Sequence, residues 1–318
     1  MRLKIRATAV FAVCILLLFQ NANAWNSIGH MTVAYVAYQQ LTPTEKARVA
    51  ALLALNPNYK TWQGYIKPGA APADQQMYVF MMAATWPDEI RGGTTYKLDG
   101  DVPPHSPEAT ANIGYTDYFQ HDYWHFVDMP FTSDNTAPLP AVPVPNAETR
   151  IVDLRAALSS SEPDALKSYD LVWLLHLIGD VHQPLHCATR VTATQHRGDA
   201  GGNAVTLTGA VPELHAYWDS LLGVGTTQDF ALALKAGALL PTADATAAAD
   251  LNEADWVNES FAMAQKDVYV SPPIGPGAMP YTIAPDSPYA QQALKDAQGR
   301  VALAGARLAN VLHGALAQ

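Results

Sequence analysis

Residues 173–186 decide the fold of this chain, and they read WLLHLIGDVHQPLH. They overlap the end of the most apolar stretch of the chain, residues 163–181. This stretch predicts a helix at the centre of the protein. Because a helix turns once in about 3.6 residues, His176 and Asp180 share one face of it. A histidine and a carboxylate at this spacing suit a single metal ion.

A second pair with the same spacing lies downstream. His215 and Asp219 are again four residues apart, on a short predicted helix. Pro184 is expected to end or bend the first helix, which lets His186 point to a different metal centre. One such pair occurs easily by chance and usually marks a solvated helix face. Two pairs set among apolar residues are costly to bury without a partner, so together they favour metal binding.

Two further segments carry candidates, WPDEIR at 86–91 and YWHFVD at 123–128. Asp88 is either a metal ligand or an ordinary residue of a turn. His125 is either a ligand or a core histidine whose polar atoms are satisfied. Arg91 is either a functional cation or the partner of a neighbouring acid. Spacing alone does not join these segments to the pairs above.

The remaining pattern predicts an all-α protein, a mainly helical single domain with a small β-hairpin. Residues 201–209 are the one good strand candidate, because Val205 and Leu207 alternate with threonines. The other predicted helices are 27–40, 42–55, 74–84, 147–158, 212–222, 229–240, 252–268 and 288–313.

The first 24 residues have the pattern of a cleaved secretory signal peptide, with a basic start, an apolar core and an A-x-A cleavage site at 22–24. The core, 10–19, is shorter than the ~20 residues that a membrane span needs. Cleavage would make Trp25 the first residue, and its free amine and carbonyl would then be able to chelate a metal ion. We therefore expect a secreted or periplasmic protein whose residues 25–318 form one domain.

Charge and cysteine content constrain the partners. Removal of the three cationic residues before residue 24 takes the formal net charge from −10 to −13. Such a balance argues against a polyanionic partner unless the acidic residues bind cations.

Cys187 is the only cysteine after residue 24, so no intramolecular disulfide can form there. Stability then rests on the core, with or without bound metal.

Taken in order, the motifs resemble those of the single-strand-specific zinc nucleases of the S1/P1 type, which are related in fold to bacterial zinc phospholipase C. The resemblance covers nearly the whole chain after residue 24. It rests on Trp25 with a Gly-His pair ending at His30, and on the motifs W-P-D-x-x-R, W-H-F-V-D, H-x-x-x-D-x-H-Q-P-L-H, G-G-N and H-x-x-x-D.

The resemblance implies three zinc ions per chain, held by nine ligands. The first set is Asp88, His125, His176 and Asp180. The second set is His186, His215 and Asp219. The third is Trp25, through its amine and carbonyl, together with His30, and Asp180 bridges it to the first. His182 is left without a ligand role, and we expect it to support the ligands from behind.

The same resemblance implies an exported endonuclease that hydrolyses single-stranded RNA and DNA to 5′-phosphate products, with 3′-nucleotidase activity on nucleotides. Asp88 would orient the attacking water, and Arg91 would support the phosphate. Phe126 would stack on a base and Asp128 would accept hydrogen bonds from it, which favours unpaired strands. Asn203 would act on the phosphate side. We expect a monomer without a membrane anchor.

The chain departs from the family pattern in places. No lysine follows Asp128 closely, where some members of the family have one. Residues 189–198 match no motif of the family, so the second wall of the base pocket is unassigned. One alternative is a zinc phospholipase C, although that branch places its N-terminal histidine farther from the tryptophan than His30 and uses a glutamate in place of Asp219. Another is a zinc-storage or metal-stabilised protein with closed coordination. The placement of Arg91 beside the ligands favours an open, substrate-binding site.

Overall fold

The computed structural model describes residues 25–106, 109, 111–275 and 279–316. The predicted signal peptide, 1–24, lies outside the described residues. The predicted all-α fold is confirmed, because helices dominate the described part of the chain. They are α1 Ser27–Gln40, α2 Pro43–Leu53, α3 Tyr59–Tyr65, α4 Pro72–Ala83, α5 Trp86–Glu89, α6 Ala147–Leu158, α7 Asp164–Asp180, α8 Leu214–Asp219, α9 Phe230–Ala238, α10 Ala245–Ala249, α11 Glu253–Met263 and α12 Pro288–Leu316.

Helix α7 lies at the centre, as predicted. Every residue from 168 to 180 is buried. The helix is apolar on all sides, so it needs neighbours all round. These neighbours are α1, α2, α5, α6 and α12. The C-terminal end of α7 carries His176 and Asp180, and the packing therefore holds both side chains in the interior.

Helix α1 brings the first described residues onto α7. Asn26 caps α1, because its side chain accepts hydrogen bonds from the amides of Ile28 (3.0 Å) and Gly29 (3.3 Å). Its own side-chain amide donates to the carbonyl of Gly223 at 2.7 Å. The long helix α12 packs along α1. These contacts fix the direction in which α1 enters the core.

The predicted β-hairpin is wrong. The two strands, β1 Met129–Thr132 and β2 Ala188–Val191, are parallel, with Met129 opposite Ala188 and Thr132 opposite Val191. Parallel strands need a long crossover, here one that contains α6 and α7, and such a pairing leaves no local signature.

Residues 201–209 do not form the predicted strand. They make turns and two isolated bridges, from Thr206 to Glu213 and from Leu207 to Tyr281. Left-handed backbone at Gly201 and Gly202 turns the chain before a strand can extend. Val205 and Leu207 alternate with polar residues because they are buried in a small apolar cluster beside α8.

Several helix ends differ from the sequence expectations. Helix α8 is shorter than the predicted 212–222, and the predicted 252–268 is α11 followed by one π turn at Ala264–Val268. Helices α3, α5 and α10 were not predicted, because segments of four to seven residues are too short to show a 3.6-residue period. None of the helices in the described ranges is both long and apolar enough to cross a bilayer.

Candidate metal centre

One cluster forms where α5, α7 and the segment before β1 meet. His125 Nδ1 lies 2.9 Å from His176 Nε2, and Asp180 Oδ2 lies 3.2 and 3.3 Å from these two nitrogens. Asp88 Oδ1 approaches the same nitrogens at 3.8 and 3.7 Å. The four side chains that the resemblance assigned to one zinc therefore converge on one point.

A second cluster joins the turn after α7 to α8. His186 Nε2 and His215 Nε2 are 3.0 Å apart, and Asp219 Oδ2 lies 3.6 Å from His215 Nε2. The side-chain amide of Gln183 donates to Asp219 Oδ1 at 2.7 Å, which turns Oδ2 toward the histidines. Gln183 was not predicted as a site residue, although it belongs to the H-Q-P-L-H motif.

His30 on α1 faces the first cluster from the other side. Its Nε2 lies 3.3 Å from Asp180 Oδ1, and its ring stacks on His176 with centroids 3.8 Å apart. Trp25 is fully buried and donates from Nε1 to the carbonyl of Gly179 at 3.1 Å. A Cβ at Gly179 would come within 2.9 Å of His30 Nδ1, so a glycine is required for this close approach. The amine and carbonyl of Trp25 as ligands stay a prediction.

Backbone carbonyls orient three of the histidines. In each, Nδ1 donates to a carbonyl, which leaves the Nε2 lone pair facing the cluster. The pairs are His176 with Ala84 (2.8 Å), His186 with His125 (2.6 Å) and His215 with Gly201 (2.7 Å). His125 is turned the other way, with Nδ1 facing the cluster. Histidines that bind metal ions are usually fixed in this manner.

The polar atoms at the centre fit a bound cation. Both oxygens of Asp180, Oδ1 of Asp88 and both nitrogens of His30 are buried and make no hydrogen bond within the described ranges. Leaving such atoms unpaired is costly. Imidazole nitrogens and carboxylate oxygens are the donors that zinc prefers. Within the described residues, three groups have metal-ligand spacing: His30, His176 and Asp180; Asp88, His125 and His176; His186, His215 and Asp219.

Burial and neighbouring charges shift the pKa values of the site residues in both directions. Burial lowers the pKa of His125 to about 4 and, together with His186, that of His215 to about 3, so both imidazoles are neutral near pH 7. Burial opposes ionisation of Asp180, but the surrounding histidines, His176 first, hold its pKa well below the usual value. Burial raises the pKa of Asp219 well above the usual value, so a cation is needed to keep this carboxyl ionised.

Arg91 lies beside the first cluster, in the turn after α5. Its NH1 is 3.5 Å from Asp88 Oδ1, and its Nε is 2.7 Å from Asp122 Oδ1. Its side chain is buried, and so are the two acids that it contacts here, apart from a small exposed fraction of Asp88. Glu89 instead accepts a hydrogen bond from the hydroxyl of Thr85. Asp122 was not identified from the sequence, where nothing distinguishes it from other acids.

Phe126 and Asp128 are partly exposed, next to His125 in the chain. Asp128 has left-handed backbone with φ 53°, which directs its side chain differently from an ordinary extended residue. Burial and the charges of Asp199 and Asp101 raise the pKa of Asp128 to about 7. The segment after His125 therefore ends in a carboxyl that is easily protonated.

The G-G-N motif shapes the second cluster. Asp199, which the sequence did not point to, is fully buried and accepts hydrogen bonds from the amides of Arg190 (2.9 Å) and Gly202 (3.2 Å). This fixes the turn that offers the Gly201 carbonyl to His215. Asn203 donates to the carbonyl of Ala200 at 2.6 Å, and its buried Oδ1 has no partner within the described ranges.

His182 does not support the ligands, contrary to expectation. Its Nδ1 donates to the carbonyl of Ile178 at 2.7 Å, and its Nε2 accepts from Arg307 at 2.9 Å. Both partners lie away from the clusters, because His182 is six residues beyond His176 and leaves the helix in another direction.

Comparisons with known proteins agree with this geometry. The model of the S1/P1 nuclease family matches residues 25–317. Endonuclease 4 of Arabidopsis thaliana is 25% identical over 213 residues, which cover 64% of this chain and 57% of the plant protein. The match thus spans less than two thirds of that relative. Because the family model extends over nearly all of the described residues, the chain belongs to the S1/P1 nuclease family.

Proposed function

We propose that this protein is an exported, zinc-dependent endonuclease that hydrolyses phosphodiester bonds of single-stranded RNA and DNA and leaves 5′-phosphates. It would also act as a 3′-nucleotidase. One observation carries the proposal: three groups of histidine and aspartate converge beside a buried arginine, in a chain of the S1/P1 nuclease family.

Nine residues would hold three zinc ions, as the family resemblance implies. They are Asp88, His125, His176 and Asp180 for the first, His186, His215 and Asp219 for the second, and Trp25 and His30 for the third. Zinc supplies positive potential at the phosphate and acidifies water, which lets an acidic protein act on a polyanion. The proposal of three ions rests on the converging side chains and their unpaired atoms.

Asp88 of the first cluster and Arg91 beside it would take part in the reaction. The side chain of Asp88 is 13% exposed, whereas those of Asp180 and His176 are fully buried. Asp88 is thus the member that solvent reaches, and it would orient the attacking water. Arg91 would bind the phosphate oxygens through its fork of N–H donors. This opening supports a catalytic site over closed zinc storage.

Preference for single strands would come from the segment that follows His125. Phe126 would stack on a base, and Asp128 would accept hydrogen bonds from its edge. Both are partly exposed, as a binding surface requires. A base must be unpaired to be held in this way. Asn203 would act on the phosphate side through its side-chain amide, which donates to the carbonyl of Ala200 in this structure.

The test is digestion of single-stranded RNA and DNA by protein that begins at Trp25. We expect fragments with 5′-phosphates, loss of cleavage with a chelator, and recovery with zinc. A phosphatidylcholine substrate is included in parallel. If the zinc-loaded protein cleaves no nucleic acid but hydrolyses the lipid, it is a phospholipase C. If it cleaves neither, it is a non-catalytic zinc protein.

A further inference from the structure

Asp122 contacts the arginine that lies beside the first cluster. It begins the short 3-10 turn Asp122–Trp124 that leads to His125. Its side chain is 1% exposed, and Oδ1 lies 2.7 Å from Nε of Arg91. The side chain of Arg91 is itself 6% exposed. The two groups therefore form a buried ion pair at the edge of the metal centre.

This pair decides which way the guanidinium points. Asp122 Oδ1 lies against Nε as an ion-pair contact without hydrogen-bond geometry, and the NH1 atom at the other end lies 3.5 Å from Asp88 Oδ1. The guanidinium is planar and rigid, so a contact at one edge fixes the direction of the other. Asp88, the other carboxylate that Arg91 contacts within the described residues, belongs to the first cluster.

The backbone and neighbours of Asp122 hold it in place. Its amide donates to Asp99 Oδ1 at 3.3 Å, and Asp99 Oδ2 lies 3.3 Å from His121 Nδ1. His121 Nε2 is 2.8 Å from Asp117 Oδ2, and its ring stacks on Trp124 with centroids 3.9 Å apart. A chain of contacts thus runs from a fixed loop to the arginine.

We propose that Asp122 is a positioning residue for Arg91, and that it keeps the guanidinium directed at the phosphate instead of collapsing onto Asp88. The proposal rests on the proposed function, since it concerns the same reaction. Asp122 would act on the substrate only through the side chain of Arg91.

A double-mutant cycle tests the proposal, with Asp122→Asn, Arg91→Ala and the double variant. Loss of a group behind a site residue costs about 10- to 100-fold, so we expect kcat to fall by that factor in Asp122→Asn with zinc content unchanged. In the Arg91→Ala background, Asp122→Asn should change kcat less than about twofold. An equal loss in both backgrounds would show that Asp122 acts independently of Arg91 and would overturn the proposal.

Asp117→Asn is the matched control, because Asp117 belongs to the same loop network and is linked to Asp122 only indirectly, through His121 and Asp99. It should lose clearly less kcat than Asp122→Asn. If it loses as much as Asp122→Asn, the effect is loop disorder and the proposal fails. Should Asp122→Asn fail to fold, Asp122→Glu preserves the charge and is expected to retain a measurable share of kcat; a loss equal to that of Arg91→Ala would count against the pairing.

A second readout needs no activity. In ¹⁵N-labelled, metal-free protein, the order parameter of the Arg91 Nε–H signal should be that of an immobilised side chain in the wild type and should fall in Asp122→Asn, because the ion pair that holds the guanidinium is lost. An unchanged signal would overturn the pairing. If the wild type cleaves no nucleic acid, the proposed function fails, and the signal still decides whether Asp122 holds Arg91.

Discussion

His176 and His182 lie six residues apart in the same motif, and both are fully buried. Each donates from Nδ1 to a backbone carbonyl, of Ala84 and of Ile178 respectively. The difference lies at Nε2. In His176 this atom faces two carboxylates, whereas in His182 it accepts a hydrogen bond from Arg307.

The charged groups around the two histidines also differ. Around His182, Arg307 and Arg300 both pair with Glu259 at 2.7 Å, so the ionic groups there satisfy one another. Burial and these arginines lower the pKa of His182 well below its usual value. Burial also opposes the protonation of His176, but Asp180 and Asp88 raise its pKa above the usual value. Burial and a fixed ring are thus common to both, and the charge facing Nε2 separates the proposed metal ligand His176 from the structural histidine His182.

The largest effect is expected on the His176 side, from Asp180→Asn. Asp180 contacts His30, His125 and His176, so its loss should lower zinc content and reduce turnover by more than about 100-fold. Zinc content and kcat are measured together. Asp170→Asn is the control, because Asp170 is equally buried on α7 but pairs with Asn112, away from the clusters. Full activity and three zinc ions in Asp180→Asn would contradict the cluster assignment.

Arg307→Met, which changes the surroundings of His182, should lower the stability of the fold without changing zinc content. It removes the partner of His182 Nε2 and one of the two arginines that pair with Glu259, and an unpaired buried group costs about 1–3 kcal/mol in the free energy of unfolding. Chemical denaturation measures this loss, and zinc content should not change. Arg48→Met, which breaks an exposed pair with Asp164, should cost less than about 1 kcal/mol. Loss of zinc in Arg307→Met would erase the distinction between the two histidines.

A third buried histidine, His30, extends the comparison to the N-terminus. Two residues added before Trp25 would remove its free amine, so the third zinc should bind about tenfold or more weakly, equivalent to about 1.4 kcal/mol. Competition with a chelator measures the affinity, and the same extension at the C-terminus serves as the control. Equal affinity with both extensions would exclude the amine as a ligand.

The smallest effect concerns Asp128, a carboxyl near the ligands whose pKa is raised by burial and by the charges of Asp199 and Asp101. Its pKa rises from 3.8 to about 7 on folding, so the folded state favours the protonated form. The stability it contributes is complete below pH 4 and is lost as pH rises through about 7. The full shift corresponds to about 4 kcal/mol, but the side chain is partly exposed and solvent screens it, so in metal-free protein Asp128→Asn should reduce the fall in unfolding free energy between pH 4 and 7 by only about 1 kcal/mol. Parallel pH profiles of wild type and variant would contradict this.

Helical spacing and apolar neighbours are local signals, and they predicted the central helix and the two histidine–aspartate pairs. Asp88, His125 and His30 were assigned to the same site only through the family resemblance. His176 with Asp180 and His215 with Asp219 needed only the period of the helix. The different direction of His182 could also be predicted from the sequence, because six residues place it about 120° from His176 around a helix.

Other features depend on residues far apart in the chain. Asp122 meets Arg91 across 31 positions, and Asp199 acts through a turn whose carbonyl reaches His215. The pairing of β1 with β2 spans two helices. No local pattern reports such contacts, because each depends on how separate elements pack.

The central claim is that three zinc ions occupy the described groups of histidine and aspartate. Anomalous diffraction at the zinc edge, on crystals of protein that begins at Trp25, tests it most directly. Three peaks are expected at about 2.0–2.2 Å from nitrogen or oxygen atoms of the nine assigned residues, with Asp180 between two of them. Absence of a peak at the His125–His176 or His186–His215 pair, or a zinc bound at His182, would contradict it.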